Sequence, residues 1–204
     1  MVRRNTILKA LLEGAAEVGR QSDPKSHDKE ERQLRVLPTR EHGFTYEDFK
    51  WIVDWKTDDR FGEYFAKKNG EARIRRVTRE AFLARTPTLS FTMLLSEGKF
   101  EGLFGVKNAI ASALLTFHDP RTFTVVDPRA LAALREVNSV GQLKLDVPTG
   151  KADELEAEEY LRYVQACQQL RRRLKLLSLR NTDRALYTLG GCTWTISTFV
   201  RVHS

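Results

Sequence analysis

Asp127 is the side chain on which most chemistry in this chain can be built. It follows an extended, β-branched run at residues 123–126 and directly precedes Pro128 and a helical pattern. A carboxylate there reads as a helix N-cap with proline in the first helical position. The same position keeps it ionised, because the helix dipole and the first N–H groups favour negative charge. A fixed anion of this kind stabilises positive charge developing on a substrate and orients an attacking water. Upstream, Gly105 begins a turn that runs through Lys107 and Asn108 into an apolar stretch ending at His118-Asp119-Pro120. Two helices joined by a glycine-bearing turn present backbone N–H groups to a phosphate, a grip that reads no sequence. The alternatives are a plain cap at Asp127 and a plain helix–turn–helix corner with Gly105 as its tight point. His118, in the loop before Asp119, reads as structural.

The elements that must position these residues are predicted to be helical. Hydrophobic periodicity and the absence of βαβ alternation give a mostly α class. Residues 1–20 begin basic and partly apolar, but Glu13, Glu17 and Arg20 interrupt them too soon for a signal peptide, so a surface helix is expected. Residues 21–43 are polar, charged and proline-bearing, and read as a linker or long loop. Thr45 caps a helix over 45–55 with Phe49, Ile52 and Val53 inward. Residues 71–85 form a basic helix with Ile74, Val77, Ala81 and Phe82 in one stripe. A short helix over 88–95 stops at Gly98. Helices follow over 105–117, 128–137 and 153–177, with a loop at 138–152. Asn181 or Asp183 caps a last helix ending at Gly190-Gly191, and residues 192–202 form a strand or a packed tail.

The 204 residues include 34 basic and 27 acidic side chains, a net charge of +7. A positive excess draws polyanions at long range, and nucleic acid is the usual one. At 41% hydrophobic and 30% charged, the chain reads as soluble, with enough length for one domain or two small lobes sharing a cleft. No apolar run approaches the roughly 20 residues of a membrane span, so no membrane partner is expected. Cys167 and Cys192 form no CxxC pair, which argues against an iron–sulfur cluster or a four-cysteine zinc site. No metal or cofactor is expected, and the location expected is a reducing cytoplasm.

Residues 102–127, GLFGVKNAIASALLTFHDPRTFTVVD, resemble the hairpin and catalytic-aspartate segment of the helix-hairpin-helix DNA glycosylase superfamily. The superfamily turn usually reads L-P-G-V-G; here it is Leu103-Phe104-Gly105-Val106-Lys107. Phe104 replaces the proline and Lys107 the second glycine. A positive φ at that second position would cost lysine about 1 kcal/mol or more, so a differently shaped hairpin is expected. Asp127 follows Ala109 by 18 residues, much as the superfamily's catalytic aspartate follows its hairpin counterpart. More loosely, residues 44–190 resemble a compact, cluster-free branch with a WK-x-x-x-R element and an R-x-x-D-R-A-L-[WY] element. These are Trp55-Lys56 with Arg60, and Arg180 with Asp183, Arg184, Ala185, Leu186 and Tyr187. The first 40 or so residues carry none of the resemblance.

The resemblance implies an all-α, two-lobed helical domain over 44–204, with hairpin and catalytic segment at about 99–137. It implies a base-flipping enzyme that hydrolyses an N-glycosidic bond, with Asp127 stabilising the oxocarbenium-like state. Bifunctional members carry a lysine nucleophile where this chain has Ala109, so a monofunctional DNA glycosylase that leaves an abasic site is expected. Gly105, Lys107, Asn108, Arg129 and Lys56 become candidates for holding double-stranded DNA. Trp51, Trp55 and Tyr46 become candidates for the base pocket, although two tryptophans four apart also read as core. The enzyme is expected to act as a monomer, in base excision repair or in antiviral defence against modified phage DNA. Two rival readings are a non-catalytic DNA-binding module, whose binding would not depend on Asp127, and a helical interaction domain with no basic surface at the hairpin.

Overall fold

The computed structural model describes residues 2–22, 24–37, 42–97 and 100–191. Among these, every regular element is a helix: α1 Val2–Ser22, α2 Pro24–Val36, α3 Tyr46–Thr57, α4 Gly62–Asn69, α5 Glu71–Phe82, α6 Pro87–Leu94, α7 Asn108–His118, α8 Pro128–Gly141, α9 Ala157–Leu174 and α10 Leu179–Gly190. None is long and apolar enough to cross a membrane. The described residues are all-α, in keeping with the mostly α class expected from periodicity.

Helix α7 is the core. Its residues 110–117 are all buried, which is what a helix without a polar face requires. Helices α3 and α6 pack on it, α3 also carries α4, and α5 packs on α6. On the other side α10 packs against α1, α8 and α9. Phe91 of α6 stacks on Tyr160 of α9, 4.1 Å between centroids, and ties the two groups together.

Local chemistry sets the boundaries. Thr45 and Asp48 cap α3 reciprocally, and Thr86 caps α6 by accepting from the Leu89 N–H. Several expected boundaries move. Helix α7 begins at Asn108, not at Gly105, and α8 runs on to Gly141 until Gln142 turns left-handed. Helix α9 begins at Ala157 because Glu156 and Glu159 close a capping box there. Ser178, in place of Asn181 or Asp183, caps α10. Helix α4 is an addition to the expected elements. Gly98 and residues 192–202 lie outside the described residues.

The largest correction is at residues 21–43, where α2 forms in place of a linker. Among its described side chains only Glu30 is buried; Leu34 is half-buried against the core and Leu37 is buried just beyond the helix end, so no apolar stripe announces it. The helix docks through charge: Glu30 inserts between two arginines of α10.

Candidate functional site

Asp127 is delivered by an extended segment strung between α7 and α9. The Gln168 amide donates to the Thr122 carbonyl at 3.0 Å, Tyr160 OH to the Thr124 carbonyl at 3.0 Å, and Tyr163 OH to the Val125 carbonyl at 3.1 Å. From the other side, the Val126 N–H donates to Ser112 Oγ at 3.0 Å. Both tyrosines are fully buried, so these bonds fix the carbonyls ahead of Asp127 in place. Asp127 then caps α8, its Oδ1 accepting from the Arg129 N–H at 2.9 Å. Its Oδ2 accepts from Lys56 Nζ at 2.8 Å, with the two side chains 16% and 12% exposed. The carboxylate is thus held on one oxygen by a helix N-terminus and on the other by a buried cation.

The pair lines a cavity of about 610 Å3. Helix α3 contributes Trp55 and Lys56 to it, α8 contributes Arg129, and α10 contributes Arg180, Asp183, Arg184 and Tyr187. The two elements singled out as WK-x-x-x-R and R-x-x-D-R-A-L-[WY] therefore meet at Asp127, except that Arg60 turns away and donates to the Thr57 carbonyl. The remaining wall comes from the N-terminus, through Gly19, Ser22, His27 and Glu30. A smaller cavity of about 410 Å3 lies beyond His27 and Arg184, and Asp127 does not line it.

The cavity wall is a network of paired charges. Arg180 donates to Glu30 at 2.6 Å, pairs with Asp183, and lies over the Trp55 ring at 5.3 Å. Arg184 donates to the same Glu30 oxygen at 2.8 Å and pairs with Glu31 at 2.9 Å. Burial opposes ionisation of Glu30, but the two arginines prevail and hold its carboxyl below the usual range. Asp183 goes the other way: burial pushes its carboxyl up to about 6, against the pull of Arg180 and Lys56, and Glu30 and Asp127 add to the rise. Arg129 donates to Tyr187 OH at 3.2 Å and lies over its ring. The arrangement is a fixed anion beside a polar, charge-compensated pocket with one aromatic wall.

The other candidates fall elsewhere. Trp51 does not line the cavity; it packs edge-on against Phe117, 5.1 Å between centroids. Tyr46 begins α3, about 15 Å along the helix axis from Lys56 at 1.5 Å per residue, and its hydroxyl donates to Glu63 at 3.1 Å. Lys56, expected on a phosphate, is engaged by Asp127. Asn108 is buried, and its amide donates to the Leu155 and Ala152 carbonyls at 2.8 and 3.2 Å, so its side chain anchors a loop and has no donor left for DNA. Gly105 takes φ +77°, whereas Lys107 sits at φ −109° as the exposed residue before α7. The turn needs one positive φ, and glycine supplies it; lysine at the second position is unstrained. His118 stacks on Phe82 at 3.7 Å, and burial holds its imidazole below the usual pKa.

Glu30, Ser22 and Gly19 carry no signal in the sequence, since Glu30 differs from its neighbour Glu31 only in which helix face it occupies. Arg180, Asp183 and Arg184 are spaced i, i+3, i+4, the spacing of one helix face, which is the available clue to a cluster. Among the described residues no group of three or more His, Cys, Asp or Glu side chains is placed to hold a metal ion. Comparison of the chain with protein families, with curated proteins and with solved structures finds no match.

Proposed function

We propose that this protein is a DNA glycosylase that flips a damaged or modified base into the 610 Å3 cavity and hydrolyses its N-glycosidic bond. The observation that carries the reading is the carboxylate of Asp127, pinned by the Arg129 N–H and Lys56 at the cavity wall where two distant sequence elements converge. As the bond to the base breaks, positive charge grows on C1′ and the ring oxygen, and Asp127 stabilises it and orients the attacking water. Trp55, with Arg180 over its ring, is the tryptophan of the cavity wall that a flipped base would meet. The paired polar groups of the wall suit a base bearing polar substituents, which supports modified as well as damaged bases.

Lys56 compensates the Asp127 charge in the free protein. The hairpin position offers Ala109 and no amine, and among the described residues the one lysine lining the cavity, Lys56, is bound to Asp127. The proposed nucleophile is therefore water and the proposed product an abasic site. The test is a panel of duplexes carrying damaged and modified bases, incubated with the protein and then treated with alkali. Strand cleavage that requires alkali supports a monofunctional glycosylase and names its substrate. Binding without cleavage across the panel supports the rival DNA-binding module.

A further inference from the structure

Helix α4 and the turn at Gly105 build a ridge of aromatic rings that the chemistry at Asp127 does not use. Phe61 stacks on Phe65, 5.5 Å between centroids and 12° between planes. Phe104 meets both Phe65 and Tyr64 edge-on, at 5.9 and 6.0 Å. Phe61, Tyr64 and Phe104 remain 42%, 52% and 43% exposed, an unusual amount of adjacent aromatic surface.

The ridge is held rigidly. Asn69, itself buried, clamps the backbone of Phe104 from both sides: its Oδ1 accepts from the Phe104 N–H at 2.7 Å and its Nδ2 donates to the Phe104 carbonyl at 3.1 Å. A Cβ on Gly105 would lie 2.6 Å from the Phe65 ring, so the turn sits directly on α4. Cations border the rings. Arg60 lies over Phe61 at 5.8 Å and Lys68 over Tyr64 at 5.7 Å. Exposed Lys67 and Lys107 flank them, and Glu63, the carboxylate within α4, is engaged by Lys67 and Tyr46. In the chain the ridge follows closely on the cavity: Lys56 and Asp58 line it, and Arg60, which turns away from Asp127, and Phe61 come next.

We infer that this ridge binds an unpaired stretch of DNA next to the flipped base, with bases stacked on Phe61, Tyr64 and Phe104 and phosphates taken by Arg60, Lys68 and Lys107. The inference rests on the proposed glycosylase reading and deepens it by assigning the second DNA surface. Rings with π faces accept any base, and interleaved cations track the backbone, which is the composition of surfaces that hold single strands.

The experiment measures fluorescence anisotropy with three labelled DNAs: a paired duplex, the same duplex with a short unpaired stretch, and a single strand. Tyr64→Ala, Phe104→Ala and the double variant are compared with wild type, with thermal unfolding run alongside. The half-exposed positions leave the fold intact. The expected result is tighter binding of the two unpaired DNAs by wild type, and a loss of that preference by roughly 5- to 150-fold in the variants, the equivalent of about 1–3 kcal/mol of stacking. Affinity for the paired duplex should change by less than about twofold, and Lys68→Gln should flatten the salt dependence on unpaired DNA. Equal binding of unpaired DNA by wild type and double variant would overturn the inference. So would a wild-type dimer that Phe104→Ala dissolves, since a second copy would then occupy the ridge. Neither result bears on base excision, which is read separately on the panel of modified duplexes.

Discussion

Replacing Glu30 by alanine tests whether α2 is a working part of the cavity wall. The side chain is 7% exposed and accepts from Arg180 at 2.6 Å and from Arg184 at 2.8 Å. Alanine removes one anion from between two guanidiniums that are 13% and 11% exposed. Each arginine keeps one carboxylate, Arg180 through Asp183 and Arg184 through Glu31. Breaking a buried pair costs about 3–5 kcal/mol when the remaining charge is stranded; with partners retained, the loss belongs at the lower end, about 3 kcal/mol. At about 2–4 °C per kcal/mol for a chain of this size, Tm falls by roughly 6–12 °C. Glu30→Gln keeps the shape and part of the hydrogen bonding, so it falls in between. Because the arginines depress the Glu30 pKa in the folded state, its contribution is present above the ordinary glutamate value and lost as pH falls through the folded one. The gap between wild type and Glu30→Ala should therefore be flat from pH 8 to about 5 and close in acid. Circular dichroism melts across that range decide it. A Tm change under about 2 °C at pH 7.5 would refute the assignment of α2 as a charge-locked wall.

Three further outcomes follow from the same structure. Asp183 has its folded pKa raised to about 6 by burial, so its stabilising contribution is full below the ordinary aspartate value and lost as pH rises. Wild type should lose stability relative to Asp183→Asn between about pH 4 and 6, and melts showing the opposite trend would contradict the burial argument. Tyr160→Phe strands the buried Thr124 carbonyl and should cost about 1–2 kcal/mol by urea unfolding; no loss would mean that the segment ahead of Asp127 is held some other way. Gly105→Ala should cost about 1–3 kcal/mol, since φ is +77° and the new Cβ meets Phe65, whereas Lys107→Gly should bring no gain in Tm because Lys107 is unstrained at φ −109°.

What is legible in the sequence is what short-range patterns encode. The Thr45 cap, the amphipathic stripe of α5 and the Asp127-Pro128 start of α8 are local, and all three form. The cavity is not local. Lys56 reaches Asp127 across 71 positions and Glu30 reaches Arg180 across 150, and no window of residues displays either pairing. Helix α2 escapes sequence reasoning for the same reason: its polarity matches a loop, and what buries it is a charge partner at the far end of the chain. Tyr46 and Trp51 look like pocket aromatics by residue type, but only Trp55 of the three lines the cavity; Trp51 shares its helix face and its Phe117 contact and lies about 6 Å away along α3. At the Gly105 turn, lysine in place of a second glycine already implies a differently shaped hairpin, and the backbone takes a positive φ at Gly105 and not at Lys107.

The most direct test of the central claim is single-turnover base excision by wild type and Asp127→Asn on whichever modified duplex responds. Asparagine caps a helix as well as aspartate does and still offers an oxygen to Lys56, but it leaves that lysine's charge uncompensated. The variant should therefore fold with a Tm lower by up to roughly 12 °C, and excision is measured well below that Tm. If Asp127 stabilises the charge that grows on the sugar, excision falls by about 100-fold or more while DNA affinity changes little. Excision at the wild-type rate by Asp127→Asn would leave Asp127 a helix cap and nothing more.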